Sequence, residues 1–274
     1  MAEALRRVLS RSSAAGPEED TAEAGPPLLL LGAPGSGKTT LLFAAALEAA
    51  GEGRGPVFFL TRRPLQSLPR ATGAALEPMR LQKIRFQYPP STPELLWLLG
   101  TAHEGPGPAP ALLLLDGLEE YLGEDPGAQE AAHLAALLVD TAAHFSHRLG
   151  PGRACGLLVA LQTQDEGDPG EALRLAVLQR YFPAQCWLQP DAPGPGERCL
   201  RACLEPGAPG HRTEWRVSFG ADGEPTVAPA AACGSDQASG SGGRARALIG
   251  HSLSGPGSPT AKRPRSGTRA ESGT

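Results

Sequence analysis

The sequence predicts an α/β fold with a mainly parallel sheet flanked by helices and a C-terminal antiparallel extension. Short runs of consecutive apolar residues alternate with helical patterns, which is typical of parallel strands covered on both faces. Further along the chain, Trp215, Val217 and Phe219 alternate with polar neighbours, which is typical of half-exposed antiparallel strands. A glycine-rich loop between the first predicted strand and the first helix is the third observation.

Short apolar runs predict the strands of the parallel sheet. Each run is too short for a helix and is followed by glycine or by a polar residue. In chain order these runs are residues 28–31, 57–60, 112–115 and 157–161. Three later segments predict the antiparallel strands: residues 185–189, 198–205 and 213–219.

Helices are predicted between these strands. The helix after the glycine-rich loop ends near Ala50, where glycines follow. A helix over residues 93–102 is predicted by proline at its first position and by Thr92 as its cap. Residues 129–149 carry apolar side chains at the spacing of one helix face. The last predicted helix covers residues 171–182.

Composition separates this core, residues 26–225, from both ends of the chain. The 274 residues include 35 glycines and 28 prolines, a content that favours disorder in part of the chain. We predict a disordered N-terminal extension over residues 1–25, with a mitochondrial transit peptide as the alternative. Residues 226–274 predict a disordered, basic tail rich in glycine and serine. Residues 262–265 (Lys-Arg-Pro-Arg) match a short nuclear-import signal, with ordinary solvated charges as the alternative.

Charge, cysteine content and hydropathy exclude several classes of protein. A formal net charge of -4 excludes a uniformly basic coat for nucleic acid. The five cysteines are an odd number without the spacing of a small secreted scaffold, which indicates reduced thiols. No apolar run approaches the roughly 20 residues that span a bilayer, so we expect a soluble intracellular protein with no membrane partner.

The glycine-rich loop reads GAPGSGKT over residues 32–39 and fits the phosphate-binding pattern G-x-x-x-x-G-K-[ST]. Its glycines allow the backbone to curl so that successive N–H groups point at phosphate oxygens. We expect Lys38 to contact the β- and γ-phosphates of ATP and Thr39 to bind Mg²⁺. The predicted nucleotide-binding residues are Gly32, Gly35, Ser36, Gly37, Lys38, Thr39 and Thr40.

Acidic and amide side chains follow the third and fourth predicted strands. Asp116 ends the third strand, where a carboxylate can hold a water molecule of the Mg²⁺ shell. Glu119 and Glu120 are candidates for polarising the attacking water, and the alternative is that they are solvated charges at a helix start. Gln162 or Gln164, at the end of the fourth strand, is a candidate sensor of the γ-phosphate.

A basic stretch lies between residues 61 and 86 of an otherwise acidic core. Basic side chains beside aromatic residues suit a flexible polyanion such as single-stranded DNA, through phosphate pairing and base stacking. The alternative is a solvated loop whose aromatic residues pack in the core. The candidate DNA-binding residues are Arg62, Arg63, Arg80, Lys83 and Arg85, with Phe86 and Tyr88 beside them.

Segments from most of the core form a recognisable set. They are GAPGSGKTT (32–40), LTRRPLQS (60–67), LQKIRFQYPP (81–90), LLLLDGLEEY (112–121) and QRYFP (179–183). Together they closely resemble the SWIM-domain-associated ATPases of the animal Shu complex, which are divergent paralogues of the RecA-type recombinases. The resemblance covers about residues 26–220. It implies a RecA-like core, ATP hydrolysis, single-stranded DNA binding, a role in homologous recombination and a complex with a SWIM-type zinc-finger protein.

One departure from the wider recombinase pattern leaves the catalytic base open. RecA-type enzymes place a catalytic glutamate just after the second strand, whereas this chain has Thr61, Arg62 and Arg63 there. We therefore expect a slow, DNA-stimulated ATPase that supports recombinase filaments in the nucleus. The alternatives are a nucleotide-binding scaffold without useful turnover and, less in keeping with the terminal antiparallel strands, a small-molecule P-loop kinase.

Overall fold

The computed structural model describes residues 2–10, 25–51, 55–69, 77–123, 128–163, 169–191, 198–207, 212–220 and 223–230. Its helices are α1 (Ala2–Ser10), α2 (Lys38–Gly51), α3 (Pro78–Leu81), α4 (Thr92–Gly100), α5 (Ala128–Leu149) and α6 (Pro169–Tyr181), with a 3-10 helix over Leu118–Tyr121. Its strands are β1 (Leu28–Gly32), β2 (Val57–Thr61), β3 (Ile84–Gln87), β4 (Leu112–Asp116), β5 (Gly156–Gln162), β6 (Ala184–Pro190), β7 (Arg198–Glu205), β8 (Thr213–Phe219) and β9 (Pro225–Pro229).

These strands form a nine-stranded sheet within the described residues, in the order β3-β2-β4-β5-β1-β6-β7-β8-β9. The strands from β3 to β6 in this order are parallel, and β7, β8 and β9 continue the sheet in antiparallel fashion. The predicted fold class is therefore confirmed. One detail differs, because β6 was predicted as antiparallel but pairs in parallel with β1. Its buried and half-buried residues alternate, so its pattern alone resembles that of an antiparallel strand.

The core has two apolar layers, one on each face of the sheet. Leu28 and Leu30 belong to the layer that contains α1 and α2, whereas Leu29 and Leu31 belong to the layer that contains α4, α5 and α6. Side chains alternate between the faces of a strand, so a strand covered on both faces must be apolar at every position. This requirement explains the uninterrupted leucine runs of β1 and β4.

Helix α1 corrects the prediction that residues 1–25 form a disordered extension. Leu5, Val8 and Leu9 are buried in the layer formed by α2, and α1 also contacts β9. These three positions have the i, i+3, i+4 spacing that forms one apolar stripe on a helix. Residues 11–24, the rest of the predicted extension, lie outside the described residues.

Strand β9 moves the end of the core beyond the predicted boundary at residue 225. It pairs with β8, and its central Val227 is buried. Two prolines in five residues hide this strand from sequence analysis, although proline is tolerated at the edge of a sheet, where β9 lies. Residues 231–274 lie outside the described part of the chain, and residues 262–265, which match a nuclear-import signal, are among them.

The predicted cap of α4 is displaced by one residue. The side chain of Ser91 accepts a hydrogen bond from the Glu94 N–H, whereas the Thr92 hydroxyl donates to the Tyr121 carbonyl oxygen at 2.7 Å. Thr92 therefore fixes α4 against the 3-10 helix that follows β4. None of the helices in the described ranges is both long and apolar enough to cross a membrane.

Candidate nucleotide-binding site

The carboxyl ends of the parallel strands meet at one edge of the sheet and carry the candidate site. In the strand register Gly32 is the partner of Gln162, and Thr61 is the partner of Asp116. Loops that follow parallel strands collect at this edge, which is the usual ligand-binding edge of open α/β sheets. The fold therefore brings together predicted site residues that lie far apart in the chain.

The phosphate loop, residues 32–39, joins β1 to α2. Gly35 and Gly37 have φ angles of 69° and 79°, in the left-handed region that residues with a Cβ atom rarely adopt. The N–H of Ser36, whose side chain is buried, donates to the Ala33 carbonyl oxygen at 3.1 Å and tightens the turn. Helix α2 starts at Lys38, so its N-terminal N–H groups and its positive dipole end lie at the loop. Thr40 is half-buried in the first turn of this helix.

Lys38 is buried and folds over the loop. Its Nζ donates to the carbonyl oxygens of Gly32 and Ala33, both at 2.8 Å, and lies 3.3 Å from Ser36 Oγ. Burial lowers the pKa of Lys38 from its ordinary value, while two nearby carboxylates act in the opposite direction. The ammonium group is thus held where an anion bound by the loop can pair with it.

Thr39 and Asp116, the predicted metal-binding residues, are in direct contact. The Thr39 hydroxyl donates to Asp116 Oδ2 at 2.7 Å and so joins the start of α2 to the end of β4. Burial raises the pKa of Asp116, and the hydrogen bond from Thr39 is the largest effect that opposes this rise. A hydroxyl and a carboxylate are oxygen ligands of the kind Mg²⁺ prefers, so the donor set fits this ion.

Glu119 and Glu120 are neighbours in the 3-10 helix after β4, but they have different partners. Glu119 Oε2 accepts a hydrogen bond from the backbone N–H of Gln162 at 2.8 Å, and its charge raises the pKa of Asp116. Glu120 Oε2 instead lies 3.7 Å from Nε of Arg63, in the loop after β2. The structure therefore brings Glu119 to the phosphate loop, whereas Glu120 pairs with Arg63 in the loop after β2.

Gln162 contacts this site through its backbone. It ends β5 beside Gly32, and its N–H is the donor to Glu119. The next residue, Thr163, donates its N–H to the Gly32 carbonyl oxygen at 3.1 Å, which ties the end of β5 to the start of the loop. The alternative sensor, Gln164, lies outside the described residues.

The predicted DNA-binding residues lie at both ends of β2 and β3. Arg62 and Arg63 follow β2 at the nucleotide edge of the sheet. Arg62 Nε donates to the Pro90 carbonyl oxygen at 2.9 Å, and its guanidinium also donates to the Glu120 carbonyl oxygen. The Arg63 side chain is 83% exposed.

The other three basic residues lie elsewhere along β2 and β3. Arg80 precedes β3, where its Nε pairs with Glu77 at 3.0 Å, and Lys83 donates to the Ala50 carbonyl oxygen at 3.1 Å near the end of α2. The Arg85 guanidinium lies over the Phe58 ring, 5.8 Å from its centroid. Arg80 and Lys83 lie near the starts of β2 and β3, whereas Arg62 and Arg63 follow the end of β2. The two pairs are therefore separated by about 13 Å, the length of a five-residue strand.

Two residues that sequence reasoning missed contact the phosphate loop. Arg198, the first residue of β7, donates through its guanidinium to the Gly35 carbonyl oxygen. Phe219, the last residue of β8, packs so closely against Gly37 that its ring leaves no room for a Cβ there. No local pattern marks these residues, because the contact joins segments 163 residues apart and depends on the strand order.

Comparison with known proteins gives two similar relatives. The chain is 76% identical over 219 residues to ATPase SWSAP1 of Homo sapiens, covering 80% of this chain and 96% of the human protein. It is 63% identical over 265 residues to ATPase SWSAP1 of Mus musculus, covering 94% of this chain and 95% of the mouse protein. No protein-family model matches the chain.

Among solved structures, the chain is similar to a DnaB-like replicative helicase that was studied for its interactions with primase. The TM-score is 0.50 at 12% sequence identity, and the match covers 82% of this chain and 68% of the helicase chain. At such low identity the similarity concerns the fold alone. It agrees with the RecA-like P-loop core that the sequence predicts.

Proposed function

The chain belongs to the ATPase SWSAP1 family, and on that premise we propose that it hydrolyses ATP slowly, binds single-stranded DNA and supports recombinase filaments in homologous recombination. It is a nucleotide-binding ATPase of RecA-like fold. The observation that carries the proposal is the joint placement of Lys38 over the phosphate loop and of Thr39 against Asp116. The zinc-finger partner, the recombinase partner and the nuclear location rest on the sequence resemblance and belong to the same proposal.

The roles of the loop residues in ATP binding follow from their chemistry. The N–H groups of the loop and of the first turn of α2 bind phosphate oxygens, and Lys38 pairs with the charge of the β- and γ-phosphates. Thr39 and Asp116 would together hold Mg²⁺ at the end of β4. When bound, Mg²⁺ neutralises phosphate charge and polarises the γ-phosphate.

We assign the water-orienting role to Glu119 in preference to Glu120. The hydrogen bond from the Gln162 N–H orients the Glu119 carboxylate at the end of β5, beside the phosphate loop. The position after β2, where RecA-type enzymes have their glutamate, is held by Arg62, whose guanidinium is bound to the carbonyl oxygens of Pro90 and Glu120. In this chain the carboxylate of Glu119 reaches the site from the segment after β4, and not from the position after β2. This difference is our reason to expect slow turnover.

Single-stranded DNA is proposed to bind beside the nucleotide edge, where the Arg63 side chain is 83% exposed. A cation at this edge can pair with the DNA backbone close to the ATP site, which would couple DNA binding to turnover. The other basic candidates have partners within the chain, as Arg63 has in Glu120; those partners include Glu77, Ala50 and the Phe58 ring. They are secondary contacts in this proposal.

The second candidate function is a scaffold that binds nucleotide without useful turnover and acts through protein partners. The absence of a carboxylate at residues 61–63 favours it. An assay of ATP binding and turnover by wild type and Lys38→Ala, with and without single-stranded DNA, separates the two. Turnover that rises with DNA and is lost in Lys38→Ala supports the ATPase. Tight binding without turnover, also in the presence of a zinc-finger partner, supports the scaffold.

A further inference from the structure

Among the described residues of the antiparallel extension, the side-by-side pair Arg198 and Phe219 contacts the phosphate loop. These residues are partners in the register of β7 and β8. Because β7 runs antiparallel to β6, it starts at the edge where the parallel strands end. We propose that Arg198 is a positioning residue of the phosphate loop and that Phe219 supports it, so that the extension sets the affinity for nucleotide.

The contact of Arg198 fixes one peptide plane of the loop. Its guanidinium donates to the carbonyl oxygen of Gly35. In a trans peptide the C=O and the following N–H point in opposite directions. The N–H of the same peptide, which belongs to Ser36, donates to the Ala33 carbonyl oxygen at 3.1 Å. Both polar groups of this peptide are therefore held, so its rotation is restricted.

The same network reaches the residue that binds phosphate. The Ala33 carbonyl oxygen accepts a second hydrogen bond, from Lys38 Nζ at 2.8 Å. The chain of contacts thus runs from Arg198 through the peptide between Gly35 and Ser36 to Ala33 and Lys38. Arg198 acts on the phosphate site through the backbone of the loop, which is why we describe it as a positioning residue.

Phe219 restricts the loop on the side of Gly37. Its ring occupies the space in which a Cβ on Gly37 would lie, and the Arg198 guanidinium carbon is 6.0 Å from the ring centroid. A cation over an aromatic ring is attracted to it, so Phe219 also orients Arg198. A loop held in one shape before it binds loses less conformational entropy on binding, which increases affinity.

The test compares nucleotide affinities of three variants and rests on the proposed nucleotide binding. Arg198→Met removes the donors, Arg198→Lys keeps the positive charge on a single donor nitrogen, and Arg201→Met is the matched control. Arg201 lies on the same strand with its side chain 47% exposed, and it pairs with Asp191 at 3.2 Å, away from the loop. Affinities for fluorescent ATP and ADP analogues are measured by titrating the nucleotide in the presence of Mg²⁺. The melting temperature is measured without nucleotide.

We expect Arg198→Met to weaken the binding of ATP and ADP by the same factor, about tenfold, as for the loss of one charge-assisted hydrogen bond. Arg198→Lys should recover part of the loss, and both variants should melt like Arg201→Met. Wild-type affinity in Arg198→Met overturns the inference. A loss for ATP more than about threefold larger than for ADP also overturns it, because Arg198 would then be a direct γ-phosphate contact.

Two further variants keep the outcome decisive. If Arg198→Met does not fold, Phe219→Leu, which removes the ring but keeps an apolar side chain, should weaken both nucleotides equally, and unchanged affinities would contradict the inference. Lys38→Ala separates this inference from the proposed function. If wild type itself does not bind ATP, the proposed function fails. If Lys38→Ala loses binding while Arg198→Met keeps it, the inference alone fails.

Discussion

At the scale of single residues, the site combines groups that the sequence locates with groups that it cannot locate. Lys38, Thr39 and Asp116 were predictable because their roles depend on short motifs that follow apolar strands. The choice between Glu119 and Glu120 was not, because adjacent residues share the same local pattern. Their partners in the fold distinguish them: Glu119 accepts from the end of β5, whereas Glu120 lies beside Arg63.

This distinction predicts opposite results for two matched substitutions. Glu119→Gln removes the negative charge but keeps an oxygen that can accept from the Gln162 N–H. We expect it to lower kcat by at least about 100-fold, as for the loss of a general base, with little change in ATP affinity. Glu120→Gln, one residue away, should retain most of the activity. Single-turnover and steady-state rates measure both effects, and a larger loss in Glu120→Gln would reverse the assignment.

The pKa of Asp116 leads to a prediction about stability. Burial raises this pKa in the folded state, so ionisation of Asp116 opposes folding. The protonated carboxyl contributes fully to stability at low pH, and this contribution is lost as the pH rises through the folded-state pKa. Asp116→Asn removes the charge and keeps an acceptor for the Thr39 hydroxyl.

We expect Asp116→Asn to melt a few degrees higher than wild type at pH 7 without nucleotide, since about 1 kcal/mol shifts Tm by roughly 2–4 °C in a chain of this size. It should also lose Mg²⁺-dependent ATP binding. Calorimetry at pH 7 and near pH 4 provides the check, because the difference in Tm should shrink at the lower pH. A lower Tm at pH 7 would show that the charge stabilises the site.

At the scale of elements, the sequence predicted the strands that are buried on both faces and missed the edge strands. The leucine runs of β1 and β4 must be apolar throughout because helices cover both faces. Strands β3 and β9 lie at the two edges of the sheet, where partial exposure permits Arg85 in one and two prolines in the other. These two segments form strands because they pair with β2 and β8, and not because their own residues favour a strand.

The basic residues lie at opposite ends of β2 and β3, and this separation predicts unequal effects on DNA binding. Arg63→Gln removes an exposed cation at the nucleotide edge, whereas Arg85→Gln removes an exposed cation of β3 that lies over the Phe58 ring. We expect Arg63→Gln to weaken single-stranded DNA binding and to reduce the salt dependence by about one phosphate contact. Arg85→Gln should change both quantities less. Titrations of labelled oligonucleotide at several salt concentrations measure them, and an equal effect of the two variants would argue for one continuous surface.

At the scale of the whole molecule, several contacts among the described residues join the antiparallel extension to the nucleotide-binding half. Strand β6 pairs with β1 on one side and with β7 on the other, and Arg198 reaches back from β7 to the phosphate loop. Helix α1 packs against α2, which begins at that loop, and against β9 at the far edge. The site is therefore built from both ends of the core, which explains why motifs near residues 32–39 and 116 gave only part of it.

The buried thiols offer a measure of this coupling. Cys186 lies in β6 beside β1, and burial raises its pKa to about 12. At pH 8 almost none of this thiol would be ionised even if a reagent could reach it, so alkylation requires opening of the sheet. Cys199 in β7 is half-buried and is the internal control.

We expect iodoacetamide to label Cys199 readily and Cys186 slowly, with peptide mass spectrometry giving both rates. ATP with Mg²⁺ binds the folded state and should slow the labelling of Cys186 further, in proportion to the stabilisation that binding supplies. Lys38→Ala should abolish this protection without changing the rate measured in the absence of nucleotide. If Cys186 reacts as fast as Cys199, or if ATP protects it equally in Lys38→Ala, opening near β1 and β6 is not coupled to the phosphate loop.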